Sequence, residues 1–238
     1  MLNPLRQRHL HWLLFILLAA MLLNAGWARA ALVSRFSAAP CDPQLLAGAR
    51  ARVELLFGEV RSKPIVACLN RPVLGLNVSH GQTSFAPWVP AVVLLGPEGQ
   101  NMDVAAHEWM HAELSARVGV LTRTYGVPTW FDEGLAMQVD MREEYGDGAL
   151  QSLLGRDPPT ARKPLRKLAQ ISTPRAFFDS DILRGRLHYA FARCVIGHWL
   201  GSEGGLGLLN SLQDFHWLRS FESLPFIQAE QRCLAASR

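Results

Sequence analysis

A chain of 238 residues, 49% hydrophobic and 18% charged, has room for one medium-sized domain with its own core and shows no compositional sign of disorder or coiled coil. Its formal charge of +4 includes Arg6, Arg8 and Arg29 from the first 30 residues, which hold no acid, so the remainder stands near +1. A nearly neutral fold offers no basic face for nucleic acid, and that class of partner is set aside.

The N-terminus carries the first signal. Arg6 and Arg8 precede an apolar run from Trp12 to Leu23, followed by Ala28-Arg29-Ala30. Positive start, apolar middle and a small-x-small end form the pattern of an export signal, with cleavage expected after Ala30. The alternative is an uncleaved anchor over the same segment, which would be the chain's one tie to a membrane. Residues 1–30 are therefore expected to be a signal peptide or anchor, and residues 31–238 a single periplasmic or secreted domain. Four cysteines agree with that location: Cys41, Cys68, Cys194 and Cys233. An even number in an exported chain suggests two disulfides, for which three connectivities exist. Closure of one local segment at each end favours Cys41 with Cys68 and Cys194 with Cys233. No C-x-x-C spacing supports a cysteine metal site. Four unpaired buried thiols are the remaining alternative.

Beyond the leader, Asp42-Pro43 has the form of a helix start, with Asp as cap and Pro in the first turn. Leu46, Ala49, Val53, Leu56, Phe57 and Val60 then recur at helical spacing, up to a break at Lys63-Pro64. Residues 65–69 read as a short buried strand. Residues 71–90 are rich in Gly, Pro, Asn and Ser and read as strands and turns; Asn77-Val78-Ser79 there fits a glycosylation acceptor, which counts only in a source that glycosylates. Residues 91–95 read as a second buried strand, stopped by Gly96-Pro97.

The period then turns helical. Asn101 or Asp103 can cap a helix running to about Val118; Asp103 could instead orient His107, with capping the preferred use. Residues 122–127 read as a connection, and Thr129 as the cap of a helix over 130–142. Residues 146–165 read as a surface loop and 174–185 as irregular. Helices are expected over 187–200, 206–215 and 218–236. The outline is α+β and mainly helical, with a small N-terminal β-sheet.

The chemistry lies in His107-Glu108-Trp109-Met110-His111. Histidines at i and i+4 share one helix face, one turn apart, so both imidazoles can reach one metal ion. Zinc suits imidazole nitrogen, and a catalytic zinc keeps three protein ligands and one open position. Glu108, about 100° round the helix from His107, is off the ligand line but can take a proton from a water molecule that zinc activates. His107, His111, Leu114 and Val118 share a face, which points the pair inward. The alternative is a polar helix face without metal. Leu114 and Arg117 stand where the metzincin extension needs Gly and His, so that class is excluded.

The third ligand has to come from elsewhere. Glu133, in Pro128-Thr129-Trp130-Phe131-Asp132-Glu133-Gly134-Leu135-Ala136, is the first candidate, because small Gly134 and Ala136 would let its helix approach the histidine helix. Asp132 and Asp140 are rivals. Asp132 points off the Glu133 face, and Asp140 is the better fit for a partner behind a ligand.

The pair H-E-W-M-H and W-F-D-E-G-L-A resembles the gluzincin group of zinc metallopeptidases, especially its compact peptidase MA-like members. The resemblance implies a zincin-like domain in which a strand, here 91–95, precedes the His107–His111 helix, and a second helix matching Trp130, Glu133, Gly134 and Ala136 supplies the glutamate ligand. A looser similarity covers Leu187-His188-Tyr189-Ala190-Phe191 and the apolar helix after it. It implies that Tyr189 steadies the oxyanion of the intermediate, a task His188 could also perform. His80, His198 and His216 have nothing to single them out.

The expected function is that of a zinc-dependent metallopeptidase acting on an extracytoplasmic protein or peptide. Zn2+ would be held by His107, His111 and Glu133, with Glu108 as general base. The substrate would add a strand beside residues 91–95. Two other readings stand beside it: a catalytically silent zincin-fold protein that binds an envelope partner, and zinc hydrolysis of a non-peptide amide such as one in the cell wall.

Overall fold

The computed structural model describes residues 38–70, 79–146, 148–155, 168–178, 181–201, 212 and 224–235. The expected leader, the Asn77-Val78 part of the acceptor pattern, His216 and nearly all of the helix expected over 206–215 lie outside them. The described chain is mainly helical with one small sheet, as the sequence pattern predicts.

Strand β1 (Ala38–Ala39) leads into helix α1 (Pro43–Phe57). Asp42 caps α1 by accepting from Gln44 N at 2.9 Å, and Gly58 closes it at φ 75°, a backbone conformation that glycine adopts without strain. Ala49, Val53 and Phe57, spaced four apart, form its buried stripe. Strands β2 (Ile65–Leu69), β3 (Gly81–Ser84) and β4 (Val92–Leu95) complete the sheet in the order β1-β2-β4-β3. β2 and β4 are parallel and the outer pairings antiparallel. β4 reads Val-Val-Leu-Leu without alternation, and its last three side chains are buried on both faces of the sheet, while β2 and β3 take its two edges.

This order corrects one expectation. A substrate strand cannot join β4, since both of its edges are taken. Among the described residues the edge strands are β1 and β3, and the one next to β4 is β3, which the sequence showed only as part of a stretch rich in Gly, Pro, Asn and Ser.

Helix α2 (Met102–Val118) carries the two histidines. Asn101 caps it, accepting from Val104 N at 3.0 Å. Asp103 does neither task expected of it: it pairs with Arg52 at 2.5 Å and accepts from Met141 N at 3.0 Å. Thirteen of the 17 residues of α2 are buried, so it runs through the middle of the fold and its polar side chains all need partners. Glu113 accepts from Ser62 N at 2.8 Å, Arg61 N at 3.0 Å and Arg117 Nε at 2.8 Å, and Trp109 Nε1 donates to Ser62 Oγ at 3.1 Å. These bonds fasten α2 to the turn between α1 and β2.

Three expectations change after α2. Residues 120–126 form a short helix, α3 (Val120–Gly126), in place of a connection. Helix α4 (Thr129–Ala136) begins from Pro128 with no side-chain cap and stops six residues earlier than predicted, which frees Asp140 to turn back toward α2. Gly134 serves a different neighbour: a Cβ there would meet Ala192 O at 2.7 Å and Ile196 Cγ1 at 2.8 Å, so the close approach it permits is to α7 (Ile182–Leu200) rather than to α2. Helix α5 (Ala149–Gly155) and helix α6 (Pro174–Phe177) occupy segments that read as loop. Helix α8 (Leu224–Ala235) ends the described chain and stacks Phe226 on Trp199 at 4.6 Å.

Both expected disulfides are present. Cys41–Cys68 ties the start of α1 to β2, and Cys194–Cys233 ties α7 to α8. They close loops with separations of 27 and 39 residues. Loop-closure entropy at these lengths contributes roughly 3.5–4 kcal/mol each. Two disulfides indicate an oxidising, extracytoplasmic environment. Among the described residues no helix is long and apolar enough to cross a membrane.

Candidate metal centre

His107 and His111 project from successive turns of α2, with ring centroids 4.9 Å apart and planes at 81°. α4 crosses this face and delivers Glu133. Its Oε2 lies 3.3 Å from His107 Nε2 and 3.7 Å from His111 Nε2. Two ligand atoms at zinc bond lengths in a tetrahedron stand about 3.3 Å apart. The three side chains are buried, and their ligand atoms all fall within 4.8 Å of one another.

Two observations test whether a cation fits. Glu133 Oε2 is buried without a hydrogen-bond partner, a costly state for a carboxylate oxygen unless a cation satisfies it. The charge around it is also unbalanced. Glu108, Asp132, Glu133 and Asp140 supply four negative charges and Arg123 and Arg142 two positive ones. With neutral imidazoles the cluster stands at −2, which one divalent cation offsets. The histidines register the same surplus. Burial alone would lower the His107 pKa, but Asp140, Glu133 and Glu108 outweigh it and push it up to about 10. For His111, burial is likewise overcome by Asp132 and Glu133, and its pKa rises.

Each histidine has a carboxylate at its far nitrogen. His111 Nδ1 lies 2.7 Å from Asp132 Oδ1, and the other oxygen of Asp132 pairs with Arg123 from α3. Burial works to raise the Asp132 pKa, but His111 and Arg123 prevail and hold it below the usual carboxylate value. His107 Nδ1 faces Asp140 Oδ2 at 3.4 Å without making a hydrogen bond. Asp140 is bound instead by Arg142, whose Nη2 donates at 2.6 Å and Nε at 2.9 Å. A carboxylate can only accept, so the proton between His111 and Asp132 sits on Nδ1, and in the neutral ring Nε2 then keeps its lone pair on the side of Glu133. The sequence reading placed Asp140 behind a ligand, and the distance fits that place. It treated Asp132 as a rival ligand, and the structure makes it a partner of His111 instead.

Glu108 lies at the sheet side of the pair. Thr83 Oγ1 of β3 stands 2.5 Å from its Oε2 and 2.9 Å from its main-chain oxygen, and the single hydroxyl proton can serve one of them at a time. β3 comes this close because residue 81 is glycine: a Cβ there would meet Glu108 Cγ at 2.6 Å and Oε1 at 2.7 Å. Tyr189, on α7, completes the group with its ring 6.3 Å from that of His107. Burial first, then the charge of Glu133, raises its pKa well above the ordinary phenol value, so it stays a proton donor. His188 is turned away, its Nδ1 held at 2.7 Å from Phe177 O. His198 lies beside Cys194 and Cys233, but both sulfurs are spent in the disulfide. Thr83, Arg123 and Arg142 had no signal in the sequence; none belongs to a pattern with local period or spacing.

No family model, curated protein or solved structure matches this chain.

Proposed function

We propose that the chain is a zinc-dependent metallopeptidase of gluzincin type, with a zincin-like domain that hydrolyses peptide bonds of extracytoplasmic proteins or peptides. The observation that supports it most is the convergence of His107 Nε2, His111 Nε2 and the orphaned Glu133 Oε2, with Glu108 one residue from the first ligand. His107, His111 and Glu133 would hold the ion, which when bound supplies Lewis-acid activation of a water molecule and of the scissile carbonyl.

The chain's own residues do the rest. Glu108, steadied by Thr83, takes a proton from the attacking water and passes it to the leaving amine. Tyr189 offers its phenolic proton to the oxygen on which charge develops. The edge of β3 would offer main-chain groups to an extended polypeptide lying alongside it, next to Glu108.

The test is turnover of a broad peptide library by wild type and Glu108→Gln at equal zinc content. Loss of a general base should lower the rate about 100- to 10,000-fold. Identical product profiles and rates from the two proteins would remove the proposal and favour a silent binding protein.

A further inference from the structure

We propose that Arg123 is a positioning residue of the metal centre, holding His111 through Asp132 and fastening that ligand to the strand beside Glu108. The inference rests on the metal-centre reading above.

Helix α3 has only seven residues and buries none of them fully, so it has little packing reason to stay where it is. Arg123 is its inward-facing anchor. Its side chain is 15% exposed and pairs through Nη2 with Asp132 Oδ2. Asp132 Oδ1 is left for His111. One carboxylate is thus divided between a guanidinium and an imidazole, one oxygen to each. The guanidinium carbon Cζ lies over the Phe85 ring, 3.8 Å from its centroid, and Phe85 directly follows β3. Arg123 Nε is buried without a hydrogen-bond partner, so the plane of the guanidinium is set by Asp132 and Phe85.

The chain of contact runs from Phe85 to Arg123, Asp132 and His111. Only the last would touch the ion. A guanidinium that fixes one carboxylate oxygen fixes the direction of the other, and with it the tilt of the imidazole whose Nε2 faces Glu133. A purely structural ion pair would tether α3 to α4 with no effect on the ion. The two roles separate by measurement.

Zinc affinity of the full chain, by competition with a chelator, and the visible spectrum of the Co(II)-substituted protein should be compared for wild type, Arg123→Met, Arg123→Lys, Phe85→Leu and Asp132→Asn. A positioning role predicts that Arg123→Met weakens zinc binding about 10- to 100-fold, as loss of an outer partner typically does. It should also alter the Co(II) bands. Arg123→Lys should recover part of both changes, and Phe85→Leu should show a smaller change of the same kind. Adding Arg123→Met to Asp132→Asn should cost little more than Asp132→Asn alone. Wild-type affinity and spectrum in both Arg123→Met and Phe85→Leu would overturn the inference even if the variants melt earlier. So would full additivity in the double variant. A wild-type protein that binds no zinc would overturn both this inference and the metal-centre reading, whereas the other failures leave that reading standing.

Discussion

The two histidines of the centre sit one turn apart on the same helix, yet their outer surroundings are built differently. His111 is gripped: Asp132 lies at 2.7 Å and is itself rooted inside α4, next to Glu133. His107 is only faced: Asp140 stands at 3.4 Å, fully buried, with both oxygens engaged by Arg142. The difference lies in where each carboxylate is mounted. A helix fixes Asp132 and leaves one oxygen free, whereas Asp140 follows the helix end and spends its capacity on an arginine two residues away. His111 is therefore the oriented half of the pair, and the nearest partner of His107 on its other nitrogen is Glu133, at 3.3 Å.

The strongest way to break this comparison is to remove what the halves share. His111→Ala and Glu133→Ala should each abolish stoichiometric zinc by elemental analysis of the folded protein. Zinc retained by Glu133→Ala would move the third ligand elsewhere. The comparison is sharpened by setting Asp132→Asn against Asp140→Asn. Zinc affinity should fall about 10- to 100-fold in the first and by less in the second, since only Asp132 makes a hydrogen bond to its histidine. The reverse order in a chelator competition would overturn the assignment of the gripped half.

The smallest effect is one of pH on the metal-stripped protein. His107 has a folded pKa raised to about 10, above an unfolded value near 6.5. Its contribution to stability is thus complete below about pH 6.5 and is lost as pH rises toward 10. Thermal melts of stripped protein should fall by several degrees between pH 6.5 and 9.5, while zinc-loaded protein, whose His107 carries no extra proton, should lack that decline. Parallel curves for the two forms would mean that the surplus charge is not borne at His107.

What could be read from the sequence was what depends on near neighbours along the chain. The spacing of His107 and His111 is a local property of one helix. So are the cap at Asp42, the apolar runs of β2 and β4, and the short loops closed by each disulfide. Glu133 was reached through small residues beside it, although Gly134 turned out to face α7. Strand order is not local. The apolar 91–95 segment was expected to take an added strand, but the polar Gly81–Ser84 segment already pairs on that side of β4 and forms the edge of the sheet. Asp132 was judged by its angle from Glu133, and that angle is right. But the histidine ring has two nitrogens on opposite sides, and a residue turned off the ligand line meets the far one. Arg123 and α3 were missed because seven residues between Gly119 and Val127 show neither a period nor a buried stripe.

Gly81 has a consequence for how such a chain can change over time. A single added methyl group at that position would have to occupy the space of the Glu108 carboxylate stem. Glycine to alanine is a one-nucleotide step in every glycine codon. Such a change would push aside the proposed base while leaving His107, His111 and Glu133 untouched. On the proposed function, a descendant with its metal ligands intact and its general base displaced lies one small mutation away. An inventory of ligands would not tell the two apart; the residue that does is a glycine on a strand of little sequence character.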